Sequence, residues 1–135
     1  NIEFMISLEM LGYYSDEVNS QKYPIPQMNE TYPNKGNFIA IIGRPFEQKI
    51  VTKIHQSFNK SKLIPTESLV APPLVTGVDF SDHRNYWIHG YHAIMITDTA
   101  FLRKPHYHQT TDTPDTLNYN KMSAVVKSLF KYLQD

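Results

Sequence analysis

Residues 93–99, "AIMITDT", decide how the chain is expected to fold. Residues 93–97 are the clearest buried strand in the sequence, and "TDT" at 97–99 leads from this strand into a polar loop. A short continuous apolar run is typical of a strand covered on both faces, as in a parallel sheet. Ligands of open α/β sheets gather beyond the carboxyl ends of the strands, so we expect chemistry in the residues that follow.

Predicted strands and helices alternate on both sides of this segment. Strands are expected at 4–11, 37–43 and 68–71, the first of them buried on both faces. A first helix, begun near Pro45, follows from the spacing of Ile50, Val51, Ile54 and Phe58. This order predicts an α/β fold of three layers, with a mostly parallel sheet flanked by helices.

A second helix closes the chain. We expect Asn118 to cap its amino terminus. One face of this helix is predicted to carry the apolar residues Met122, Val125, Val126, Leu129, Phe130 and Leu133.

Residues 13–36 contain three prolines and no period, which predicts a long surface loop that forms a lid or rim. The chain has no initiating Met and begins with strand-like residues. We therefore expect residues 1–135 to be the C-terminal part of something longer or the product of trimming, with 13–36 as a loop insertion.

Charge and composition exclude several classes of function. Thirteen basic and thirteen acidic side chains give no net charge, which removes the electrostatic case for nucleic acid or an anionic membrane surface. No apolar run approaches the ~20 residues of a membrane-spanning helix, and no signal-peptide pattern assigns a compartment. Cysteine is absent, so a zinc ion would need His, Asp and Glu ligands.

Two regions carry candidate ligands. Glu9 lies near the end of the first strand, where a buried carboxylate needs a cation, a hydrogen-bond donor or a metal. In "PHYHQTTDTPDT", residues 105–116, alternate residues face the same way, so His106 and His108 could share one metal. A salt bridge for Glu9 and a metal-free polar loop remain open alternatives.

"SDH" at 81–83 precedes a helical stretch. Ser81 is a good N-cap, and Asp82 in the first turn suits the helix dipole. This structural account is sufficient, and His83 is expected either to add function or to serve packing alone.

Three segments, taken together, resemble a known family. "SLEMLGYYSD" at 7–16, "GVDFSDHRNYW" at 77–87 and the run from 93 to 122 follow the order of motifs in the C-terminal half of the di-zinc aminopeptidases. That family includes bacterial leucine aminopeptidases, with glutamate carboxypeptidase II and glutaminyl cyclases as relatives. The resemblance covers nearly the whole chain and implies the C-terminal part of a phosphorylase/hydrolase-like fold.

The resemblance implies a role for each candidate residue. Glu9 stands where the family has a zinc-ligating aspartate, and His108 matches the last zinc-ligating histidine. Tyr107 matches a tyrosine that in some members of the family donates a hydrogen bond to the developing oxyanion.

Other residues of these motifs are implied to support the site. Asp82 and His83 match positions beside the ligands, where they would orient them, and Asp112 would brace the loop. His106 has no ligand role in the pattern and is expected at the rim.

The family's remaining ligands and its Glu-Glu general base come from an N-terminal half that these residues do not match. We therefore expect this chain alone to bind zinc weakly and to lack activity, because a catalytic zinc needs about three protein ligands. The intact enzyme would hold two zinc ions and hydrolyse peptides from their N-termini. Alternatives are a non-catalytic interaction domain of the same fold and a single-zinc acyltransferase of the glutaminyl cyclase type.

Overall fold

The computed structural model describes residues 2–134, so residues 1 and 135 of the predicted domain lie outside it. It contains four strands and four α-helices: β1 (Met5–Glu9), α1 (Met28–Thr31), β2 (Ile39–Gly43), α2 (Gln48–Ser61), β3 (Thr66–Val70), α3 (His83–Ile88), β4 (Ala93–Thr97) and α4 (Tyr119–Gln134). All four predicted strands are present, three of them shorter than or shifted from their predicted ranges. The short helix α1 lies within the predicted loop 13–36.

The strands form one mixed sheet in the order β1-β4-β2-β3. β1 pairs with β4 in parallel, and β2 pairs with β3 in parallel, whereas β4 and β2 are antiparallel. The predicted mostly parallel sheet is thus confirmed, with one antiparallel pairing at its centre. As a consequence, the carboxyl ends of β1 and β4 lie at the same end of the sheet as the amino ends of β2 and β3.

Helices cover both faces of the sheet. Ile39, Ile41, Ile94 and Ile96 point to the face where α2 and α4 pack. The alternate side chains of β2 and β4 point to the other face, where Trp87 of α3 packs against them. Every residue of β2 and β4 is buried, which explains their unbroken apolar sequence. Each such large apolar side chain contributes about 1.5–3 kcal/mol by its burial.

One prediction about burial is wrong, and the predicted apolar face of α4 is only partly covered. β1 is an edge strand, and Leu8 is 51% exposed instead of covered on both faces. On α4, Val125 is buried and Leu129 packs against the core, but Val126, Phe130 and Leu133 are 60–67% exposed. The reason is geometric, because only one stripe of a helix can face the sheet and no element within residues 2–134 covers the next stripe.

Of the two predicted helix caps, one is confirmed and one is wrong. Asn118 caps α4, since its Oδ1 accepts a hydrogen bond from the Lys121 amide at 3.0 Å. The prediction of Ser81 as an N-cap is wrong: Asp82 occupies the cap position of α3 without a side-chain cap, and the Ser81 hydroxyl bonds elsewhere. No helix within the described residues is long and apolar enough to span a bilayer.

Candidate active site

A groove lies on the α3 side of the sheet, and its floor is a row of residues in register. Glu9 is paired with Thr97, Thr97 with Ala40, and Ala40 with Glu67. Partners in register project to the same face of a sheet, so the row carries a carboxyl group at each end and small side chains between them. All four residues line the groove.

A second row in register, Met95, Ile42 and Leu69, continues the floor. The loop 13–36 supplies part of the roof through Tyr23, Pro24, Met28 and Tyr32. The cavity has a volume of about 70 Å³ and a mainly apolar lining. The loop 13–36 therefore borders a cavity, and this cavity lies where strands β1 and β4 end.

Glu9 is oriented by two serines. The Ser81 hydroxyl donates a hydrogen bond to Glu9 Oε2 at 2.8 Å, and the Ser7 and Ser81 hydroxyl oxygens lie 2.7 Å apart. Since the Ser81 proton is directed to the carboxylate, Ser7 is the donor in the second contact. Glu9 thus has the hydrogen-bond donor that its position required.

Tyr107 and His108 form a stacked pair at the groove. Tyr107 lines the cavity, and its ring lies 3.9 Å from that of His108 at an interplanar angle of 16°. His108 is exposed and has a left-handed backbone with φ of 56°. Such a backbone is uncommon for non-glycine residues, but five others in the described chain share it, so φ alone assigns no role to His108.

The rest of the loop after β4 is braced by polar contacts. Asp112 forms an ion pair with Lys104, whose side chain is 1% exposed. His106 Nδ1 lies 2.8 Å from the Thr111 hydroxyl and makes a local contact. These interactions fix the segment that carries Tyr107 and His108.

His83 is fully buried at the start of α3. Its Nε2 lies 2.7 Å from the Val78 carbonyl oxygen and must carry the proton donated to it. Its ring packs edge-on against Trp87 at 4.5 Å, and Nδ1 has no hydrogen-bond partner among residues 2–134. Burial lowers the pKa of His83, against the opposing effect of the Val78 hydrogen bond and of nearby Asp79, Asp82 and Glu9.

Asp82 lies on the surface at the start of α3. Its carbonyl oxygen accepts a hydrogen bond from the Asn85 amide. Its effect on His83 is therefore electrostatic.

Asp98 joins the ends of β1 and β4. Its Oδ2 accepts hydrogen bonds from the amides of Gly12 and Tyr13 at 3.0 and 2.7 Å, and its Oδ1 accepts one from Ala100 at 3.0 Å. Burial raises the pKa of Asp98, while these amides and Arg103 oppose the rise. The polar "TDT" at the strand end is thus a structural clamp that positions the segment after Glu9.

Arg103 ties the loop 13–36 to the sheet. Its Nε donates to Gln21 Oε1 at 2.9 Å, and one terminal nitrogen donates to the carbonyl oxygens of Phe38 and Tyr13 at 2.9 and 3.2 Å. Burial lowers the pKa of Arg103 to about 10. Gly36 leaves room for this side chain, because a Cβ there would approach Arg103 to 2.6 Å.

The structure brings Glu9 and Tyr107 to one groove and stacks His108 on the latter. Within residues 2–134 no three His, Asp or Glu side chains are close enough together to hold a metal ion. The described residues therefore present candidate ligands and a cavity but not a complete metal centre.

The sequence did not predict the contacts of Ser7, Gln21 and Arg103 or the position of Glu67 in the groove. Arg103 gave a weak signal, since a cation follows the apolar "AFL" directly. Glu67 gave none, because "TESLV" reads equally well with its carboxylate in solvent.

No protein-family model matches the chain. The uncharacterized protein YfbL of Escherichia coli K12 is 45% identical over 132 residues, which are 98% of this chain and 41% of YfbL. The chain thus spans well under half the length of this relative.

Two solved structures of Legionella pneumophila LapA, one described as an aminopeptidase, are similar in fold. They superpose with TM-scores of 0.59 and 0.67 at 17% and 16% identity. Each comparison covers 97% of this chain and 30% or 31% of the LapA chain. The fold therefore resembles part of an aminopeptidase.

Proposed function

We propose that the chain is the C-terminal part of a zinc-dependent aminopeptidase, which removes N-terminal residues from peptides with a metal-activated water. The observation that carries the proposal is the groove at the ends of β1 and β4, bordered by Glu9 and Tyr107. The likeness in fold to part of LapA supports it. Such a location is where open α/β sheets bind ligands.

A catalytic zinc takes about three protein ligands, and this chain's candidates are Glu9 and His108. Because no group of three suitable side chains lies together within the described part of the chain, its residues alone do not fit a zinc site. The proposal therefore requires further ligands and a general base from the rest of a longer protein. YfbL, of which this chain spans 41%, is long enough to contain such a region.

The surface that would meet this region is visible on the chain. β1 is an edge strand, so no other strand within residues 2–134 pairs with its outer side. Val126, Phe130 and Leu133 form an exposed apolar stripe on α4. In the proposed enzyme, a further part of the protein would continue the sheet beyond β1 and cover α4.

In the proposed enzyme, the residues at the groove would each have a definite role in the reaction. Zinc, when bound, would polarise the scissile carbonyl and lower the pKa of a bound water. The Tyr107 hydroxyl would donate a hydrogen bond to the oxygen that becomes negative, and the groove would hold the side chain of the N-terminal residue. The ion pair between Lys104 and Asp112 would keep Tyr107 and His108 in place.

The test is carried out on the intact protein, meaning the whole product of the gene that encodes this chain. We expect bound zinc and hydrolysis of aminoacyl-nitroanilides. His108→Ala should lose zinc and activity, whereas the control His106→Ala should retain both. Full zinc content and full activity in His108→Ala would refute the ligand assignment.

A second candidate is a non-catalytic interaction domain of the same fold. The observation that favours it is that the Glu9 carboxylate already accepts the Ser81 hydrogen bond and belongs to no group of three metal-binding side chains within residues 2–134. An intact protein that contains no zinc and hydrolyses no aminoacyl substrate would support this candidate.

A further inference from the structure

Glu67 closes the far end of the groove. It stands in the same row as Glu9, three strands away, so the two α-carbons are about 14 Å apart. Its carboxylate takes part in no ion pair and no side-chain hydrogen bond with residues 2–134, although it is partly buried. A carboxylate in these surroundings is incompletely compensated.

The two tyrosines of the roof whose pKa values Glu67 raises do not donate a hydrogen bond to its carboxylate. Tyr23 and Tyr32 lie with their rings 5.7 Å apart, and Glu67 raises the pKa of both, after the larger effect of burial. The Tyr32 hydroxyl donates to the Ser68 carbonyl at 2.9 Å, and the Tyr23 hydroxyl donates to that of Pro33 at 2.7 Å. Each has only one proton to donate, so neither is left for Glu67.

The protein thus makes Glu67 receptive to a cation. Burial raises the pKa of its carboxyl group, and His55 only partly offsets this effect. A cation brought into the groove would favour the ionised carboxylate and gain a charge-assisted hydrogen bond.

The part of the groove that leads to Glu67 suits the apolar methylene groups of a long side chain. Between Thr97 and Glu67 the floor consists of Ala40, with Ile42 and Leu69 in the neighbouring row. The α-carbons of Thr97 and Glu67 are two strand spacings apart, about 10 Å. This distance is roughly the length of an extended lysine or arginine side chain plus one hydrogen bond. A shorter apolar side chain would fill the floor and leave Glu67 without a partner.

We propose that Glu67 is a specificity-determining residue, which accepts the ammonium or guanidinium group of a lysine or arginine side chain whose stem lies along this groove. The inference rests on the proposed function in one respect, namely that the groove receives the side chain of a peptide's N-terminal residue. It adds the chemical class of that side chain.

The test compares two ligands that differ only at the end of the side chain. Binding of L-lysine amide and L-norleucine amide to the intact protein is measured by calorimetry, for wild type, Glu67→Gln and the surface control Glu17→Gln. Wild type and the control should bind lysine amide at least about tenfold more tightly than norleucine amide. Glu67→Gln should lose this difference and bind norleucine amide as wild type does.

A second variant guards against misfolding of the first. Glu67→Asp withdraws the carboxylate by one methylene, so it should shift the preference from lysine amide toward the longer arginine amide. Equal binding of lysine and norleucine amides by wild type, or an unchanged ratio in both variants, would overturn the inference.

Hydrolysis of lysyl and norleucyl nitroanilides separates the two proposals. Activity without a lysine preference would refute the role of Glu67 alone. Lysine binding that depends on Glu67, without hydrolysis of either substrate, would refute the aminopeptidase and leave the cation site standing.

Discussion

Ser81 holds Glu9 across 72 positions of sequence, through a hydroxyl that donates to Glu9 Oε2 at 2.8 Å. Ser7 lies on the same strand as Glu9, two residues earlier, and its hydroxyl in turn contacts that of Ser81 at 2.7 Å. Side chains two apart on a strand share a face, so both serines act on the groove side of β1. The relay selects one orientation for a carboxylate at the end of an edge strand.

Ser81→Ala is therefore expected to lower zinc affinity more than it lowers the free energy of unfolding. If Glu9 is a ligand, loss of its orienting hydrogen bond should weaken zinc binding by the intact protein about ten- to a hundredfold. The free energy of unfolding should fall by only about 1 kcal/mol. Zinc titration and denaturant unfolding measure the two effects, with exposed Ser123→Ala as the control. An unchanged zinc affinity would show that Ser81 does not position a ligand.

His83 should make stability depend on pH. Its pKa is lowered by burial in the folded protein, so the unfolded chain binds the proton more readily. The stability associated with neutral His83 is thus present above its ordinary pKa of 6.5 and is lost as the pH falls toward the lowered value. The slope should approach about 1.4 kcal/mol per pH unit.

His83→Gln tests this expectation, because glutamine can donate to the Val78 carbonyl but does not titrate. Unfolding free energies between pH 5 and 8 should show a shallower loss at low pH for this variant than for wild type. The exposed His89→Gln should retain the wild-type slope. Parallel curves for wild type and His83→Gln would exclude His83 as the source.

Local signals were sufficient for much of the fold. β4 is predictable because it is a short, mostly apolar run, which the structure buries at all five residues. Asn118 is predictable as a cap because capping depends only on its own neighbours. Pro45 was expected at the start of a helix, and it begins the 3-10 turn that leads into α2. In each case the interactions that fix the conformation lie within a few residues.

Features that depend on distant partners were not predictable in the same way. The antiparallel pairing of β4 with β2 is decided by the path of the connections, which the apolar pattern does not encode. The Ser81 hydroxyl donates a hydrogen bond to Glu9 instead of capping α3. Arg103 donates a hydrogen bond to Gln21, which lies 82 positions earlier in the sequence. The register row that joins Glu9 to Glu67 appears only when the strand order is known.

Arg103→Lys should loosen the loop 13–36. Arginine donates here to one side chain and two carbonyl oxygens from a rigid fork, which an ammonium group on a flexible stem does not reproduce. We expect a loss of about 2–3 kcal/mol in unfolding free energy and faster proteolysis within 13–36. Arg84→Lys, at an exposed position, is the matched control. Equal proteolysis of both variants would mean that the loop is held by its other contacts.

The exposed stripe of α4 gives a test of whether another part of the protein packs here. Phe130→Lys places a charge on a side chain that is 60% exposed, so the isolated chain should lose less than about 0.5 kcal/mol and become less prone to aggregate. In the intact protein the same substitution should cost about 3 kcal/mol or more, because it would bury an unpaired charge. Val125→Ala, at a buried position, should destabilise both forms alike. Denaturant unfolding of the two forms measures the difference, and an equally small effect of Phe130→Lys in both would show that α4 remains uncovered.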